Sequence, residues 1–266
     1  MHKILMAAAA LTAVAMAGGA KASTDLITNG GFEQNTLPSS LVTGNVYSGA
    51  GISHFWNHYA WAVTGWTSVQ TGAQEDYNIY VFDPAHATTR NADAYWTSAE
   101  PQHLNSNFTG ASPDGGAFML LDGDPGFSGA LQQSVNLVAG QAYTLSFDWA
   151  AGELSDRTGY QFAGITGSIG GFTFAPPVFN NTAAAGQPGA FSGWQQASYT
   201  FTAQNTGPTL LSFLAVGGPQ ANLPPVALLD GVHLTPVPEP ASWALILGGF
   251  GGMGLAIRRR RAAAAA

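Results

Sequence analysis

The chain alternates apolar and polar residues over several short stretches. Between residues 142 and 149 every second side chain is large and apolar, so that one face of a strand would carry Tyr143, Leu145, Phe147 and Trp149. Residues 197–202 repeat this alternation. A period of two places successive side chains on opposite faces of a β-strand. These stretches therefore predict strands that are buried on one side.

Further strands are predicted where Thr, Val, Phe and Tyr are concentrated. These stretches are residues 26–33, 62–69, 79–82, 117–121, 131–137, 209–216 and 226–234. Gly-containing turns separate them, and outside the two ends no stretch keeps the 3.6-residue period of a helix. About nine short strands without helices predict an all-β fold, a β-sandwich. Residues 38–59 and 83–115 remain as long loops.

The N-terminus has the pattern of an export signal. Met1-His2-Lys3 is a short basic start, residues 4–19 are apolar, and Ala20-Lys21-Ala22 fits the small-residue rule for signal peptidase. We predict a signal peptide over residues 1–22, removed by signal peptidase, and a mature chain that begins at Ser23. An uncleaved anchor is the alternative, which the cleavage site disfavours.

The C-terminus has the pattern of a membrane anchor. Residues 241–257 are 17 uncharged residues, about 25 Å as a helix. This is slightly short of a hydrocarbon core of roughly 30 Å, a mismatch that a thinner membrane accommodates. The arginines at 258–261 would stop translocation and stay in the cytoplasm. We predict a single transmembrane helix at 241–257, and an ordinary single-pass anchor is the plainest interpretation.

The segment between the two ends, residues 23–236, is predicted to form one ectodomain. It has no cysteine, so packing and not disulfides must stabilise it. Only two basic residues, Arg90 and Arg157, remain there against fourteen acidic ones, which gives a net charge of −12. Such a charge repels phosphate backbones and anionic headgroups. It excludes nucleic acid and leaves cations or neutral glycans as compatible partners.

The C-terminal segment resembles the PEP-CTERM sorting signal of Gram-negative bacteria. The motif residues are Pro238, Glu239 and Pro240, the Gly-rich apolar helix, and the arginine cluster Arg258, Arg259, Arg260 and Arg261. The resemblance spans residues 237–261. It implies an exosortase, a membrane protease-transpeptidase, as a partner, and a biofilm- or floc-forming bacterium that secretes polysaccharide as the producer.

The ectodomain resembles galactose-binding-like jelly rolls and the choice-of-anchor domains often joined to this tail. Its matching stretches are Leu26-Ile27-Thr28-Asn29-Gly30-Gly31-Phe32-Glu33, Gly65-Trp66, the segment 121–147 and Leu229-Asp230-Gly231-Val232-His233-Leu234. The resemblance implies a jelly-roll β-sandwich. Many carbohydrate-binding modules share that fold.

The same resemblance implies a structural calcium. In these modules the first and last strands lie together and commonly hold the ion, which here points to Glu33 and Asp230, both hard oxygen donors. The family's last strand often reads Asp-Asp-Val, whereas this chain has Gly231 after Asp230, so one oxygen ligand is missing. The alternative is that both acids are solvated at strand ends.

Aromatic residues in the long loops are candidates for glycan contact. Trp56, Trp61 and Trp96 are flat rings that suit the apolar faces of sugars, and binding residues concentrate on loops. The alternative is that they pack the loops. Trp66, Trp149 and Trp194 lie in strand-like patterns and are predicted to be core residues.

Other motifs favour structural roles. Asp122-Gly123-Asp124 lacks the further acids of an EF-hand and predicts a tight turn. His54 and His58 lack a third zinc ligand, and the Gly-x-Ser-x-Gly motif of hydrolases is absent. We therefore expect a non-enzymatic surface or matrix protein whose jelly roll binds polysaccharide. A secreted polysaccharide hydrolase and a ligand-free spacer are the alternatives.

Overall fold

The computed structural model describes residues 24–34, 52–54, 63–72, 79–81, 111–153, 159–181, 191–218 and 225–238. Within these ranges the chain forms strands and turns and no helix. The strands are β1 (Ile52–His54), β2 (Thr67–Gln70), β3 (Ile79–Val81), β4 (Phe118–Asp122), β5 (Gly129–Leu137), β6 (Ala142–Glu153), β7 (Gln161–Ile169), β8 (Phe172–Phe174), β9 (Phe179–Asn181), β10 (Gln195–Thr202), β11 (Gly207–Gly218) and β12 (Pro225–Pro236).

The strands form two antiparallel sheets, which confirms the predicted all-β jelly-roll sandwich. The first sheet has the order β1-β3-β4-β12-β6-β10. The second has the order β2-β5-β11-β7-β8, with β9 also paired to β7. Several consecutive strands, such as β4 and β5, β6 and β7, β10 and β11, and β11 and β12, lie in different sheets, so the chain crosses repeatedly between the two layers.

The core lies between the two sheets and is rich in aromatic side chains. The alternating residues of β6 point into it as predicted: Tyr143, Leu145, Phe147 and Trp149 are all nearly inaccessible to solvent. Phe147 packs edge-on against Phe213 of the second sheet, with ring centroids 5.2 Å apart. Trp66 is also buried there and confirms its predicted core role.

Two sequence-based predictions are wrong. Residues 26–33 do not form a strand, because Asn29 and Phe32 have positive φ angles of 56° and 57° that break an extended backbone. Trp194 is only half-buried and lies outside the core. Its ring meets the edge of Phe118 at 5.4 Å, on the side of the first sheet that faces away from the core.

Several predictions lie outside the described residues. These include the signal peptide, the transmembrane helix, most of both long loops, and His58. The structure describes His54 only as part of β1. Among the residues that are described, none forms a helix long and apolar enough to cross a membrane.

Candidate functional site

The N-terminal segment lies along the last strand and forms one side of the candidate site. Leu26 N donates to Leu234 O at 2.9 Å and Val232 N donates to Gly30 O at 3.1 Å. Nearer its start, β12 pairs instead with β4, from Val226 to Leu229. Asp230 therefore lies where β4 ends as the neighbour of β12 and the N-terminal segment takes its place. It also lies beside a register shift in the pairing of β12 with β6.

Four acidic residues lie near this point and influence one another in pairs. We call them the acidic cluster: Glu33, Asp114, Asp148 and Asp230. Asp148 is the residue directly opposite Asp230 across β6 and β12. Asp230 is fully buried, and its Oδ2 accepts a hydrogen bond from Ser112 Oγ. The alternative that Asp230 is a solvated strand-end acid is therefore wrong.

Asp230 carries an unsatisfied oxygen. Its Oδ1 is buried and has no hydrogen-bond partner in the described part of the chain. Burial, with smaller contributions from the charges of Asp114 and Glu33, raises the pKa of Asp230 to about 8, while the bonds from Ser112 and Gly231 oppose the shift. Burial and Asp114 also raise the pKa of Asp148, which His233 partly offsets. Burial therefore favours the protonated form of both carboxyl groups in the absence of a cation.

The oxygens of this cluster suit calcium, which takes carboxylate, carbonyl, hydroxyl and water oxygens. No three acidic or histidine side chains among the described residues stand close enough together to enclose an ion by themselves. Glu33 is also partly engaged, since its Oε1 accepts from Ala117 N at 2.6 Å. A calcium ion would therefore need backbone or water oxygens beside Asp230 and its neighbours.

Gly231 explains how the cluster differs from the family pattern. Its φ is +54°, and a Cβ atom there would lie 2.9 Å from Asp148 Oδ2 and 3.5 Å from Asp114 Cβ. A second aspartate at this position would thus meet both strain and a like charge. Asp114 and Asp148 bring carboxylates to the space that such a side chain would enter, which sequence reasoning had not identified.

The second sheet provides a contrasting surface. Its strands contain no Asp, Glu, Lys, Arg or His. One outward row of hydroxyl and amide side chains crosses five of the six strands in pairing register, and we call it the polar row: Thr67, Gln132, Ser212, Ser168 and Thr173. At a strand spacing of about 4.8 Å the row is about 19 Å long. Leu210, half exposed, and Leu214 lie beside it on β11.

The structure brings together some of the predicted site residues and leaves others undescribed. Glu33 and Asp230 belong to the same cluster, and their role as calcium ligands stays a prediction. Trp56, Trp61 and Trp96 lie outside the described residues, so their glycan contact stays a prediction. Of the sorting residues only Pro238 is described, and it is exposed. The predicted turn directly follows β4: Asp124 N donates to Asp122 Oδ1 at 2.7 Å, and Phe127 N donates to Asp124 O at 3.0 Å.

Residues 236–261 match the PEP-CTERM protein-sorting motif. This confirms the resemblance inferred from the sequence. The motif implies an exported cell-surface protein that an exosortase processes. Comparison with curated proteins finds no match.

Several solved structures align with most of the chain at low similarity. A CBM4 structure is 16% identical, covers 79% of this chain and 99% of its own, and has a TM-score of 0.32. The CBM22-1 xylan-binding domain from Paenibacillus barcinonensis is 11% identical over 83% and 99%, with a TM-score of 0.36. A cyclase from Fischerella sp. TAU is 14% identical over 82% and 98%, with a TM-score of 0.45. Likenesses this low establish neither ligand nor activity.

Proposed function

We propose that this protein is a non-enzymatic surface or matrix component of a biofilm-forming Gram-negative bacterium, and that it binds neutral polysaccharide. The polar row is the observation that supports this. Its hydroxyl and amide groups can exchange hydrogen bonds with sugar hydroxyls, and Leu210 and Leu214 beside it can contact the apolar faces of sugar rings. No charge on these strands has to be desolvated when an uncharged polymer binds.

The charge distribution supports a neutral ligand in preference to an acidic one. The ectodomain carries a net charge of −12, and the described acidic cluster belongs to β6, β12 and the segments beside them. An acidic polymer would be repelled by the domain as a whole, whereas a neutral polymer would meet only the uncharged second sheet.

The acidic cluster does not support the hydrolase alternative. A glycoside hydrolase needs two carboxyl groups that reach the scissile bond from opposite sides. Asp230, whose raised pKa would suit a general acid, is fully buried and cannot contact a polymer.

We propose further that the acidic cluster binds calcium as a structural ion. Asp230 Oδ1 supports this proposal because a buried carboxylate oxygen without a donor is costly, and a cation would satisfy it. Neither Lys nor Arg occurs in the described ranges, so those ranges supply no ammonium or guanidinium group that could do so. The bound ion would join the N-terminal segment to β12 and β6.

Lysine at the centre of the polar row is expected to weaken polysaccharide binding. Ser212→Lys places a long cation among neutral groups and should reduce retention at least about tenfold, since hydrogen bonds between the polar row and the sugar hydroxyls would be lost. The measurement is affinity electrophoresis of the purified ectodomain in gels that contain xylan, galactomannan or dextran, with alginate as the acidic polymer. Thr200→Lys is the matched control, because it makes an equal charge change at an exposed position of β10 in the other sheet. This variant should retain wild-type binding.

Three outcomes would contradict the proposal. Unchanged retention of Ser212→Lys would mean that the polar row is not the binding surface. If the wild-type ectodomain is retained by none of the neutral polymers, it is a spacer. Release of reducing sugar ends from any of them would identify a hydrolase.

A further inference from the structure

The folded ectodomain extends to the residue before the Pro-Glu-Pro triplet of the sorting motif. Pro236 is the last residue of β12 and is still paired with β6. Next to it, Val237 N donates to Ala142 O at 2.8 Å, and Val237 O accepts from Gln141 Nε2 at 2.8 Å. Residues 236 and 237 already belong to the matched motif. The fold therefore holds the start of the motif in place.

Two tight turns stand beside the point where the chain leaves the fold. One joins β5 to β6 at residues 138–141, and the other joins β10 to β11 at residues 203–206. Gly140 N donates to Ala203 O at 2.9 Å, and Ala203 N donates to Gln141 O at 3.0 Å. Gly140 has a φ of 81°, as the third residue of a type II β-turn requires. Since Gln141 also bonds to the start of the motif, the turns and the motif's first residues form one hydrogen-bonded unit.

These two turns carry no charged side chain. Residues 138–141 and 203–206, which we call the neutral end, contain no Asp, Glu, Lys, Arg or His, although the ectodomain as a whole has a net charge of −12. Val138 is 56% exposed there, more than any other large apolar side chain in the described part of the chain. An exposed apolar residue without charges around it is typical of surfaces that bind other proteins.

The chain leaves little distance between the neutral end and any enzyme that binds the motif. Pro238, Glu239 and Pro240 follow Val237 directly, so Pro240 lies at most about 11 Å from Val237 even in an extended chain. An enzyme with this triplet in its active site must therefore cover the surface around Val237. The neutral end is part of that surface, because Gln141 is bonded to Val237.

We infer that the neutral end is a docking surface for the exosortase that processes this chain. The inference rests on the sorting motif and goes beyond the proposed polysaccharide binding, which uses the polar row. The enzyme binds the Pro-Glu-Pro triplet and, beside it, the two uncharged turns, with Val138 buried in the contact. Because the fold already orders Pro236 and Val237, less conformational entropy is lost when the motif binds.

Val138→Glu is expected to slow processing of the full-length chain about tenfold, because its carboxylate would have to be desolvated in the contact. The measurement is a pulse-chase in a bacterial host that contains an exosortase, where loss of the C-terminal segment lowers the mass of the labelled chain. The same host without its exosortase gives the unprocessed reference. Asn205→Glu, at an exposed position of the other turn, should slow processing in the same direction.

Val69→Glu is the matched control, since it makes the same substitution far from the neutral end. Val69 is 41% exposed and lies opposite Ala130, near the start of β5. Val138 follows the end of that strand, about 25 Å away. The control should be processed at the wild-type rate. All three glutamate variants change exposed side chains, so their purified ectodomains should melt at the wild-type temperature.

A flexible insert between Val237 and Pro238 separates docking from obstruction by the folded domain. About ten Gly and Ser residues span about 18 Å on average and free the neutral end from the enzyme. The insert should slow processing, and Val138→Glu should cause no further loss in the chain that carries it. Faster processing of the inserted chain would show that the domain obstructs the enzyme, and the inference would be wrong.

The remaining outcomes also decide the matter. Wild-type processing rates for both Val138→Glu and Asn205→Glu would mean that the exosortase does not contact the neutral end. Val138→Lys should slow processing as glutamate does. If lysine leaves the rate unchanged or raises it while glutamate lowers it, the surface contacts anionic lipid headgroups and not the enzyme, which overturns the inference. A wild type that the exosortase leaves unprocessed would overturn it as well.

Discussion

Asp230→Asn is expected to stabilise the metal-free protein and to destabilise the calcium-loaded protein. Asparagine keeps the shape of the side chain and its bond with Ser112, but it cannot become a buried anion. At about pH 8 in chelator, the variant should therefore melt at a higher temperature than the wild type. In the presence of calcium the wild type should melt at the higher temperature, because the variant lacks the charged carboxylate ligand.

The pH dependence follows from the direction of the pKa shift. Burial raises the pKa of Asp230 in the folded state to about 8, from an ordinary value of 3.8, so between these values the folded protein holds a proton that the unfolded chain has lost. The stability of the metal-free protein is greatest below the unfolded pKa and falls as pH rises towards the folded pKa. The slope is at most about 1.4 kcal/mol per pH unit, and Asp148, whose pKa is also raised, adds to it.

Calcium should oppose this loss, since it binds the ionised carboxylate and displaces the proton. A calcium concentration of about one hundred times Kd stabilises the folded state by about 2.7 kcal/mol. Thermal melts of wild type and Asp230→Asn across this pH range, in chelator and in calcium, measure both effects. Asp25→Asn, an acid paired with exposed His233 outside the cluster, is the control and should keep the calcium shift. If the wild type melts at the same temperature with and without calcium, the proposal that the acidic cluster binds calcium is wrong.

Phe147→Ala is expected to cause the largest loss of stability. Phe147 is fully buried and contacts rings of both sheets: Phe174 at 5.6 Å, Tyr199 at 6.2 Å and Phe213 at 5.2 Å between centroids. Truncation removes the ring and leaves a cavity that the neighbouring strands cannot fill. The free energy of unfolding should fall by about 3–5 kcal/mol.

Chemical denaturation of the ectodomain, followed by tryptophan fluorescence, measures this change. Leu210→Ala, on the half-exposed side of β11, should lower stability by no more than about 0.5 kcal/mol. Equal losses from the two substitutions would show that the interior packing described for Phe147 does not stabilise the fold.

The sequence predicts strands well where one face of the strand is buried and the other is exposed to solvent. β6 and β10 show the alternation because their outward positions carry Thr, Ser and Gln. The hairpin-like region from β7 to β9 was missed, since its Gly, Ala and Pro residues give no clear period. Conversely, the segment 26–33, which the sequence predicts as a strand, is joined to β12 only through isolated hydrogen bonds. The positive φ angles of Asn29 and Phe32 do not show in the sequence pattern.

The candidate sites were predictable only in part. Glu33 and Asp230 are identified as candidates by the resemblance to a family. Asp148 lies beside Asp230 because of strand register, and Asp114 lies there because of the fold, neither of which the composition encodes. The polar row is a similar case. Its five residues come from five strands, and only the pairing of those strands places them in line.

The position of β12 determines how the domain responds to pulling. β12 is an interior strand that leads directly towards the sorting motif, and it is paired with β6 from Pro225 opposite Glu153 to Pro236 opposite Tyr143. Hydrogen bonds between antiparallel strands run perpendicular to the strand axis. Tension applied at the C-terminus along this axis loads them in shear, many at once. If the domain is held at its C-terminus while its second sheet binds a polymer, tension should therefore act on the whole β12–β6 pairing at once and not on one hydrogen bond at a time.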